Sequence, residues 1–377
     1  MAGHALLSAS GAYRWLACTP SAQLERQFAN ETSTFAAEGT AAHALAEHKL
    51  RRFLKLRSRK PVSEFDSPEM EEYTDAYVTY ACELIAEARK RSSDAIVLLE
   101  QKLDYSEYAP QGYGTGDLII VSDCTLDVVD LKYGRGVAVS AKKNPQMMLY
   151  ALGALQIFDS IFDIQTVRMT IVQPRLDNIS TDVLPIAELL HWAETELRPR
   201  AKLALNGEGE YIAGAHCRFC RARRTCRTRA DTNMELAKLD FKAPALLSEE
   251  EIGAVLSKVD ELTAWAGDVK DYALTEAVSS GKQWPGHKVV EGRSSRKYRD
   301  EAEVAQAILA TGNFSDQDIY TKALLGITAM EKLLGKKQFG ALLEPFISKA
   351  PGKPTLVPLS DKRPEYNAAS ADFKEEI

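Results

Sequence analysis

Two carboxylates and one lysine stand in a pattern that could hold a metal ion. Asp117 closes the segment GTGD, and Asp130 and Lys132 flank the leucine of the segment DLK. If the two segments are neighbouring strands joined by a two-residue turn at 123–124, Asp117 lies directly opposite Asp130, about 4.5–5.5 Å away at Cβ. Like charges so close repel unless a cation lies between them, and carboxylate oxygens favour Mg²⁺ or Mn²⁺. The alternative is a solvated strand face on which the lysine is an ordinary cross-strand partner.

A second cluster is CRFCRARRTC, residues 217–226, which brings together three of the six cysteines. A closed thiolate metal site uses four sulfurs, so a fourth ligand must come from elsewhere in the chain. Six unevenly spaced cysteines in a long chain indicate metal binding or chemistry more than a disulfide framework. The other three are scattered: Cys82 in a helical pattern, Cys124 in a predicted turn, and Cys18 near the N-terminus.

The same segment is strongly basic. Six arginines and no acid stand between positions 217 and 229, in a chain whose formal net charge is −6. Any nucleic-acid contact must therefore come from a local patch such as this one, where guanidinium groups can bind phosphates. We expect DNA contacts from Arg218, Arg221, Arg223 and Arg224. The alternative is a solvated helix end.

The elements that would position these residues are short strands and amphipathic helices. Patterns near the N-terminus predict helices over 5–30, with a break at Thr19-Pro20, over 35–57 and over about 68–91. The core that follows reads strand, strand, strand, helix, strand, helix: 96–105, 116–122, 125–133, 144–158, 167–174 and 185–205. This order predicts an α/β fold with helices packed on a mixed sheet.

The remainder of the chain, residues 231–377, has a different pattern of residues from the α/β core. A capping box of Ser248 and Glu251 predicts one long helix, and residues 231–348 are expected to form a mainly helical accessory domain. Within it, segment 286–299 suggests a hairpin with basic residues Lys288, Arg293, Arg296, Lys297 and Arg299. The proline-rich segment 349–377 is interpreted as a flexible tail. No GxxxxGK[ST] phosphate loop, the mark of a motor domain, is found.

No stretch reaches the roughly 18 apolar residues of a membrane span, and the N-terminus lacks the basic-then-apolar order of a signal peptide. We therefore expect a cytoplasmic protein without a membrane partner.

The order of these motifs resembles the PD-(D/E)XK nuclease superfamily, with Asp130 in the (D/E) position. Three further features are similar to its RecB-like branch. His43 in EGTAAH resembles the helical histidine motif, Glu100 in LLEQK resembles an acid on the preceding strand, and Gln146 and Tyr150 resemble the QxxxY helix. Residues four apart share one helical face. The resemblance covers about residues 1–230 and implies a restriction-endonuclease-like core.

This resemblance implies metal-dependent hydrolysis of phosphodiester bonds. The implied metal ligands are His43, Asp117, Asp130 and the backbone carbonyl of Leu131, with Glu100 as a further ligand or an acid beside them. Lys132 would orient the attacking water or stabilise developing negative charge. Gln146 and Tyr150 would steer the DNA strand.

Some RecB-like nucleases, including AddB-type subunits and CRISPR-adaptation nucleases, are stapled by a four-cysteine 4Fe–4S cluster with one ligand before the core and three after it. The layout here is similar, which implies the ligands Cys18, Cys217, Cys220 and Cys226. Zn²⁺ is the alternative occupant, bound by four thiolates or by three thiolates and His216. A set of free thiols is the third interpretation.

The resemblance therefore predicts a phage-type DNA exonuclease that acts on linear or single-stranded ends during recombination or replication in a bacterial host cell. A phage recombination protein is a further candidate partner. The alternatives are a structure-specific endonuclease and a DNA-binding module whose nuclease core is inactive.

Overall fold

The computed structural model describes residues 5–29, 34–158, 160–235, 248–290, 301–310, 315, 320, 327–343 and 346–347. The chain divides into two compact units, Met1–Lys282 and Gln283–Ile377. The first unit contains every residue that the sequence analysis assigns to a site.

Four helices precede the sheet: α1 (Ala12–Ala17), α2 (Ser21–Leu24), α3 (Thr34–Phe53) and α4 (Pro68–Arg91). The bounds of α4 agree with the prediction because a capping serine and a proline define its first residue. The hydroxyl of Ser67 accepts the N–H of Met70 at 3.1 Å, and proline occupies the first helical position. Helix α3 ends before the predicted position 57, and Lys55 adopts a left-handed φ of 59° just beyond it.

The sheet has five strands in the order β1-β2-β3-β4-β5: β1 (Ile96–Asp104), β2 (Tyr113–Ser122), β3 (Thr125–Leu131), β4 (Thr166–Gln173) and β5 (Asn178–Pro185). Only β3 and β4 are parallel, and α5 (Pro145–Phe158) lies between them in the chain as their crossover helix. The mixed sheet with flanking helices confirms the predicted α/β class. The edge strand β5, in which half-buried and exposed residues mostly alternate, was not predicted.

The predicted turn between β2 and β3 is confirmed. Ser122 pairs with Thr125, and Asp123 takes a φ of 53°, a left-handed conformation that aspartate tolerates. The register also agrees with the prediction, because Ile120 lies opposite Asp127.

Helices cover both faces of the sheet. One face carries Ile119, Val128 and Ile171, which share a core with α5. The opposite face carries Leu118, Val129 and Leu131, which pack with the buried residues of α3 and α4. We call the first of these the α5 face and the second the α3–α4 face.

The described residues of the first unit form five further helices, with a π-helical segment (Ala193–Leu197) between the first two: α6 (Ile186–Trp192), α7 (Arg198–Asn206), α8 (Arg227–Met234), α9 (Glu249–Leu256) and α10 (Val259–Ser279). The predicted capping box is present, because Ser248 Oγ accepts the Glu251 N–H and Glu251 Oε2 accepts the Ser248 N–H. The prediction of a single long helix is wrong. The helix breaks at Ser257-Lys258, where Lys258 leaves the helical conformation with φ −125°.

A buried arginine attaches α10 to the arginine-rich segment. Arg229 is 1% exposed, and its guanidinium pairs with Glu261 and Asp268 at 2.6 Å each. It also donates to the carbonyl of Arg223 at 3.1 Å. The predicted domain boundary at 230 therefore differs from the observed division after Lys282, because these ion pairs tie α10 to the unit that contains the sheet.

We expect Asp268→Ala to lower the free energy of unfolding by about 3 kcal/mol, because it removes one partner of a buried ion pair and leaves positive charge behind. Asp271→Ala is the matched control, since Asp271 is an exposed residue of the same helix, and should change stability by less than about 0.5 kcal/mol. Denaturant unfolding of the full chain measures both. Equal losses would show that the ion pair does not hold α10.

The described part of the second unit includes α11 (Glu301–Leu309), α12 (Ile327–Leu334) and α13 (Lys336–Leu343). Of the predicted basic hairpin, residues 286–290, which include Lys288, form no strand. Arg293, Arg296, Lys297 and Arg299 lie outside the described residues, as does the predicted tail 349–377. Within the described ranges, no helix has the length and apolar character needed to cross a membrane.

Candidate functional site

Three residues from three elements converge at one end of the sheet. Ligand atoms of His43 in α3, Glu100 in β1 and Asp117 in β2 all lie within 4.8 Å of one another. His43 Nδ1 is 3.2 Å from Asp117 Oδ1. Among the described histidines, cysteines and acids, no other three come so close. One imidazole and two carboxylates are a suitable donor set for a divalent ion such as Mn²⁺ or Mg²⁺.

A local distortion of the strands turns both acids towards α3. Glu100 has a φ of 48°, and the β1–β2 ladder pairs the residues on either side of Glu100 and Asp117 but not these two. Leu99 packs on the α3–α4 face, whereas Leu103 packs on the α5 face. Residues four apart in a regular strand share a face. The strand therefore changes faces at Glu100, a conformation that costs free energy and is typical of functional sites.

The prediction that Asp117 and Asp130 face each other on one side of the sheet is wrong. Asp130 lies on the α5 face, where Gln146 Nε2 donates to its Oδ1 at 3.2 Å and Lys132 Nζ lies 2.8 Å from its Oδ2. Asp117 instead bends over β3, where its Oδ2 accepts the N–H of Leu131 at 2.7 Å. The distortion of β1 and β2 rotates Asp117 away from the expected position, so Asp130 lies beside the three-residue group, not within it.

Burial and mutual repulsion shift the titration of these groups. Burial raises the pKa of Asp130, Lys132 opposes the shift, and the charge of Asp117 adds to it. Burial and then the charge of Asp117 raise the pKa of Glu100 to about 7. Burial alone would lower the pKa of His43, but the charge and hydrogen bond of Asp117 raise it to about 9. Such a concentration of perturbed carboxylates is typical of a cation site or a catalytic site.

These shifts predict that the metal-free protein loses stability as the pH rises. The folded pKa of His43 exceeds its ordinary value of 6.5, so the charged imidazole stabilises the fold below pH 6.5, and this contribution disappears through about pH 9. Glu100 acts in the same direction between its ordinary 4.5 and about 7. We expect His43→Asn to flatten the upper part of this profile in urea unfolding with EDTA. An unchanged slope above pH 7 would contradict the shift.

Tyr77 is a site residue that the sequence analysis missed. It is 1% exposed in α4, and its hydroxyl has no hydrogen-bond partner in the part of the chain that the structure describes. It lines a cavity of about 10 Å³ together with His43, Glu100, Asp117 and Leu131. Burial and the nearby carboxylates raise its pKa, so the hydroxyl stays protonated. The available signal was a tyrosine at a core position of an amphipathic helix, where phenylalanine would suffice for packing.

A chain of hydrogen bonds supports the lysine on the α5 face. Gln146 Oε1 accepts from Lys132 Nζ at 3.0 Å, and Gln146 Nε2 donates to Tyr150 Oη at 3.1 Å. The predicted shared helical face of Gln146 and Tyr150 is therefore confirmed. Gly114 is required here, because a Cβ at this position would lie 2.7 Å from Tyr150 Cε1.

The four predicted cluster ligands line a single cavity of about 20 Å³: Cys18, Cys217, Cys220 and Cys226. The first three are buried and Cys226 is half-buried. Although all four belong to the described residues, no three of their sulfurs lie within 4.8 Å of one another. Cys82 and Cys124 do not line this cavity, in agreement with the prediction that they are ordinary side chains.

Two further side chains show what this cavity can accept. The buried hydroxyl of Ser21 lines it and has no hydrogen-bond partner among the described residues, so it offers a donor to an occupant. His216 Nε2 lies 2.8 Å from the carbonyl of Ile212. The other ring nitrogen faces Gly214, whose hypothetical Cβ would lie 3.2 Å from Nδ1. A histidine held by a carbonyl through one ring nitrogen can still bind a metal through the other, so three thiolates and His216 remain an alternative ligand set.

Hydrogen bonds between protein groups bring Cys18 to the other three cysteines. Glu25 is buried; its Oε1 accepts the N–H of Arg221 at 2.7 Å, and its Oε2 pairs with Arg14 at 2.8 Å. Thr19 Oγ1 donates to the carbonyl of Glu208 at 2.6 Å. The cavity is therefore held in shape by both ends of the first 230 residues.

The predicted DNA-binding arginines do not form one free surface. Arg218 is exposed and stacks on Phe219, with 5.7 Å between its guanidinium carbon and the ring centroid. Arg221 and Arg224 are half-buried. Contrary to prediction, Arg223 pairs with Asp268 at 3.1 Å, because α10 packs on this segment. DNA contact remains a prediction for Arg218, Arg221 and Arg224.

Comparison with known proteins gives a family match and a weak structural likeness. A family model described as "Protein of unknown function (DUF2800)" matches residues 4–364. A solved structure titled "Crystal structure of SSO0001" is 14% identical over 48% of this chain and 94% of that chain, with a TM-score of 0.21. A likeness of that size carries no argument about fold or activity.

Proposed function

Since the chain belongs to the DUF2800 family, whose description names no activity, we propose its function from the site itself: divalent-metal-dependent hydrolysis of phosphodiester bonds in DNA. The observation that supports this proposal most is the convergence of His43, Glu100 and Asp117 within 4.8 Å. With it we propose the PD-(D/E)XK fold of the RecB-like branch for the sheet and its helices.

The three side chains are suitable ligands for a divalent metal ion. A Mg²⁺ or Mn²⁺ ion held by His43, Glu100 and Asp117 would polarise the scissile phosphate and lower the pKa of a water molecule. Asp130 is a further proposed oxygen donor beside them, and its buried carboxylate is positioned by Lys132, 2.8 Å from Oδ2, and by Gln146, 3.2 Å from Oδ1. The carbonyl of Leu131, which lines the same cavity, completes the proposed set.

Lys132 is the proposed electrostatic group. Its side chain is 29% exposed, so it can meet a substrate, and its ion pair with Asp130 sets its position. Gln146 accepts from the ammonium group, and Tyr150 fixes Gln146 in turn. A preorganised positive charge at this point would stabilise negative charge that develops on the phosphate.

For the cysteine cavity we propose a 4Fe–4S cluster. A zinc ion bound tetrahedrally at about 2.3 Å needs sulfurs about 3.8 Å apart. No three of the four sulfurs lie within 4.8 Å of one another, a wider spacing than a zinc site requires. This spacing favours a larger occupant than one ion. Zn²⁺ is the alternative, and metal analysis of the purified protein distinguishes the two.

We further propose that the substrate is a linear or single-stranded DNA end, contacted by exposed basic groups such as Arg218, and that the enzyme serves phage recombination or replication in the cytoplasm of a bacterial host. A phage recombination protein is the proposed partner. Incubation of the protein with linear and circular DNA, in Mg²⁺ or Mn²⁺ and with an EDTA control, tests the activity.

Degradation of linear DNA alone would support an exonuclease, and cutting of circles would support a structure-specific endonuclease. Binding without any cutting would indicate an inactive DNA-binding module. Neither binding nor cutting would overturn the proposal.

A further inference from the structure

The buried hydroxyl of Tyr77 has no hydrogen-bond partner among the residues that the structure describes, which requires an explanation. Tyr77 is 1% exposed, and its ring packs on the α3–α4 face with Leu50, Ile85 and Leu118. Tyr105 is equally buried, but its hydroxyl donates to the carbonyl of Tyr113 at 2.9 Å. An unpaired buried hydroxyl costs free energy, whereas phenylalanine would fill the same space at no such cost. The hydroxyl of Tyr77 therefore contributes nothing that the packing of α4 needs.

The surroundings of this hydroxyl indicate what it would bind. The cavity that it lines has a volume of about 10 Å³, close to what one water-sized group requires. Carboxylates that hold a cation are ionised and can only accept hydrogen bonds. Among the residues that line the cavity, Tyr77 carries the hydroxyl, which can donate to an oxygen atom that enters beside them.

We propose that Tyr77 Oη donates a hydrogen bond to an oxygen atom bound in this cavity beside His43, Glu100 and Asp117. The oxygen belongs either to water or to a phosphate group. The inference rests on the proposed function, because a cation held by the same three residues is what attracts such an oxygen. It assigns to α4 a direct contact with the ligand, in addition to its packing against the sheet.

Tyr77→Phe tests this inference, with Tyr105→Phe as the matched control. In EDTA, Tyr77→Phe should unfold at the same temperature as the wild type or higher, because no made bond is lost. Tyr105→Phe should unfold at a lower temperature, because it loses a made bond. If Tyr77 had a purely structural role, Tyr77→Phe would lower the unfolding temperature in EDTA as Tyr105→Phe does.

Titrations with Mn²⁺, and then with thymidine 5′-monophosphate in saturating Mn²⁺, identify the oxygen. If it belongs to water around the ion, Tyr77→Phe should bind Mn²⁺ about ten-fold more weakly. If it belongs to phosphate, Mn²⁺ binding should be unchanged and nucleotide binding about ten-fold weaker. Tyr105→Phe should match the wild type in both titrations.

Two results would overturn the inference while leaving the proposed function intact: unchanged affinity of Tyr77→Phe for both ligands, or a loss of stability in EDTA equal to that of Tyr105→Phe. A wild-type protein that does not bind Mn²⁺ would overturn the proposed metal site and this inference together.

Discussion

Asp130→Asn is expected to reduce DNA cleavage about 10³-fold or more while leaving the metal-free fold as stable as the wild type. Metal polarisation of a phosphate contributes several kcal/mol to transition-state stabilisation, and each 1.4 kcal/mol corresponds to about ten-fold in rate. The variant also deprives Lys132 of its anionic partner. Stability in EDTA should not fall, because burial disfavours the charge of Asp130 and asparagine keeps the oxygen that accepts from Gln146.

Asp127→Asn is the matched control on the same strand. Asp127 is 1% exposed and pairs with Arg168 and, at 3.4 Å, with Arg91. Removal of its charge takes the shared partner from two guanidinium groups, whereas Asp130 pairs with a single ammonium group that Gln146 also binds, so we expect a loss of about 2 kcal/mol in unfolding free energy. Cleavage per folded molecule should be unchanged. Asp130→Asn should therefore lose cleavage and keep stability, whereas Asp127→Asn should lose stability and keep cleavage. If Asp130→Asn still cleaves DNA at the wild-type rate, Asp130 does not take part in the reaction.

Cys18→Ala is expected to bleach an anaerobically purified, brown protein and to lower its unfolding free energy by about 5 kcal/mol. The stability loss follows from loop closure, because a cluster that joins Cys18 to Cys217 cross-links a loop of about 200 residues. Iron content and visible absorbance measure the cluster, and anaerobic denaturant unfolding measures the stability.

Cys82→Ala is the control for this substitution. Cys82 is half-buried in α4 and packs on the α3–α4 face, so its loss should leave the colour unchanged. A colourless wild-type protein loaded with zinc would contradict the choice of iron–sulfur. An apoprotein as stable as the loaded one would contradict the cross-linking role.

The two candidate sites share structural elements. Arg229 forms ion pairs with Glu261 and Asp268, which connect the segment after residue 217 to α10. Glu25 accepts a hydrogen bond from the same segment, which connects it to the N-terminal helices. The N-terminal region also packs on α5, which carries Gln146 and Tyr150. Loss of the proposed cluster is therefore expected to affect the α5 side of the candidate metal site through packing.

Features with a local physical origin were predicted from the sequence. The bounds of α4 follow from Ser67 and the proline after it, and the turn at 123–124 follows from an aspartate that tolerates a left-handed φ. The common face of Gln146 and Tyr150 follows from helical periodicity alone. In each case the deciding interactions span only a few residues, so the feature can be predicted from the local sequence.

The two cavities show the intermediate case, in which the residue sets were proposed from a resemblance and the fold supplied their geometry. Cys18 meets Cys217 because Glu25 and Thr19 bind backbone groups far along the chain. His43 meets Asp117 because α3 packs across the sheet. Residue types and order are visible in the sequence, whereas distances between them depend on packing.

The sequence by itself determined the α/β class, the positions of four of the five strands and of the crossover helix, and the chemistry of the candidate ligands. Only the tertiary structure decided which side of the sheet each acid faces. Strand alternation placed Asp117 with Asp130, but the left-handed Glu100 switches the faces of the strand and turns Asp117 to His43. The packing of α3 and α4 on the sheet brings His43 and Tyr77 to the same place. Long-range packing of this kind leaves no periodic signal in the sequence.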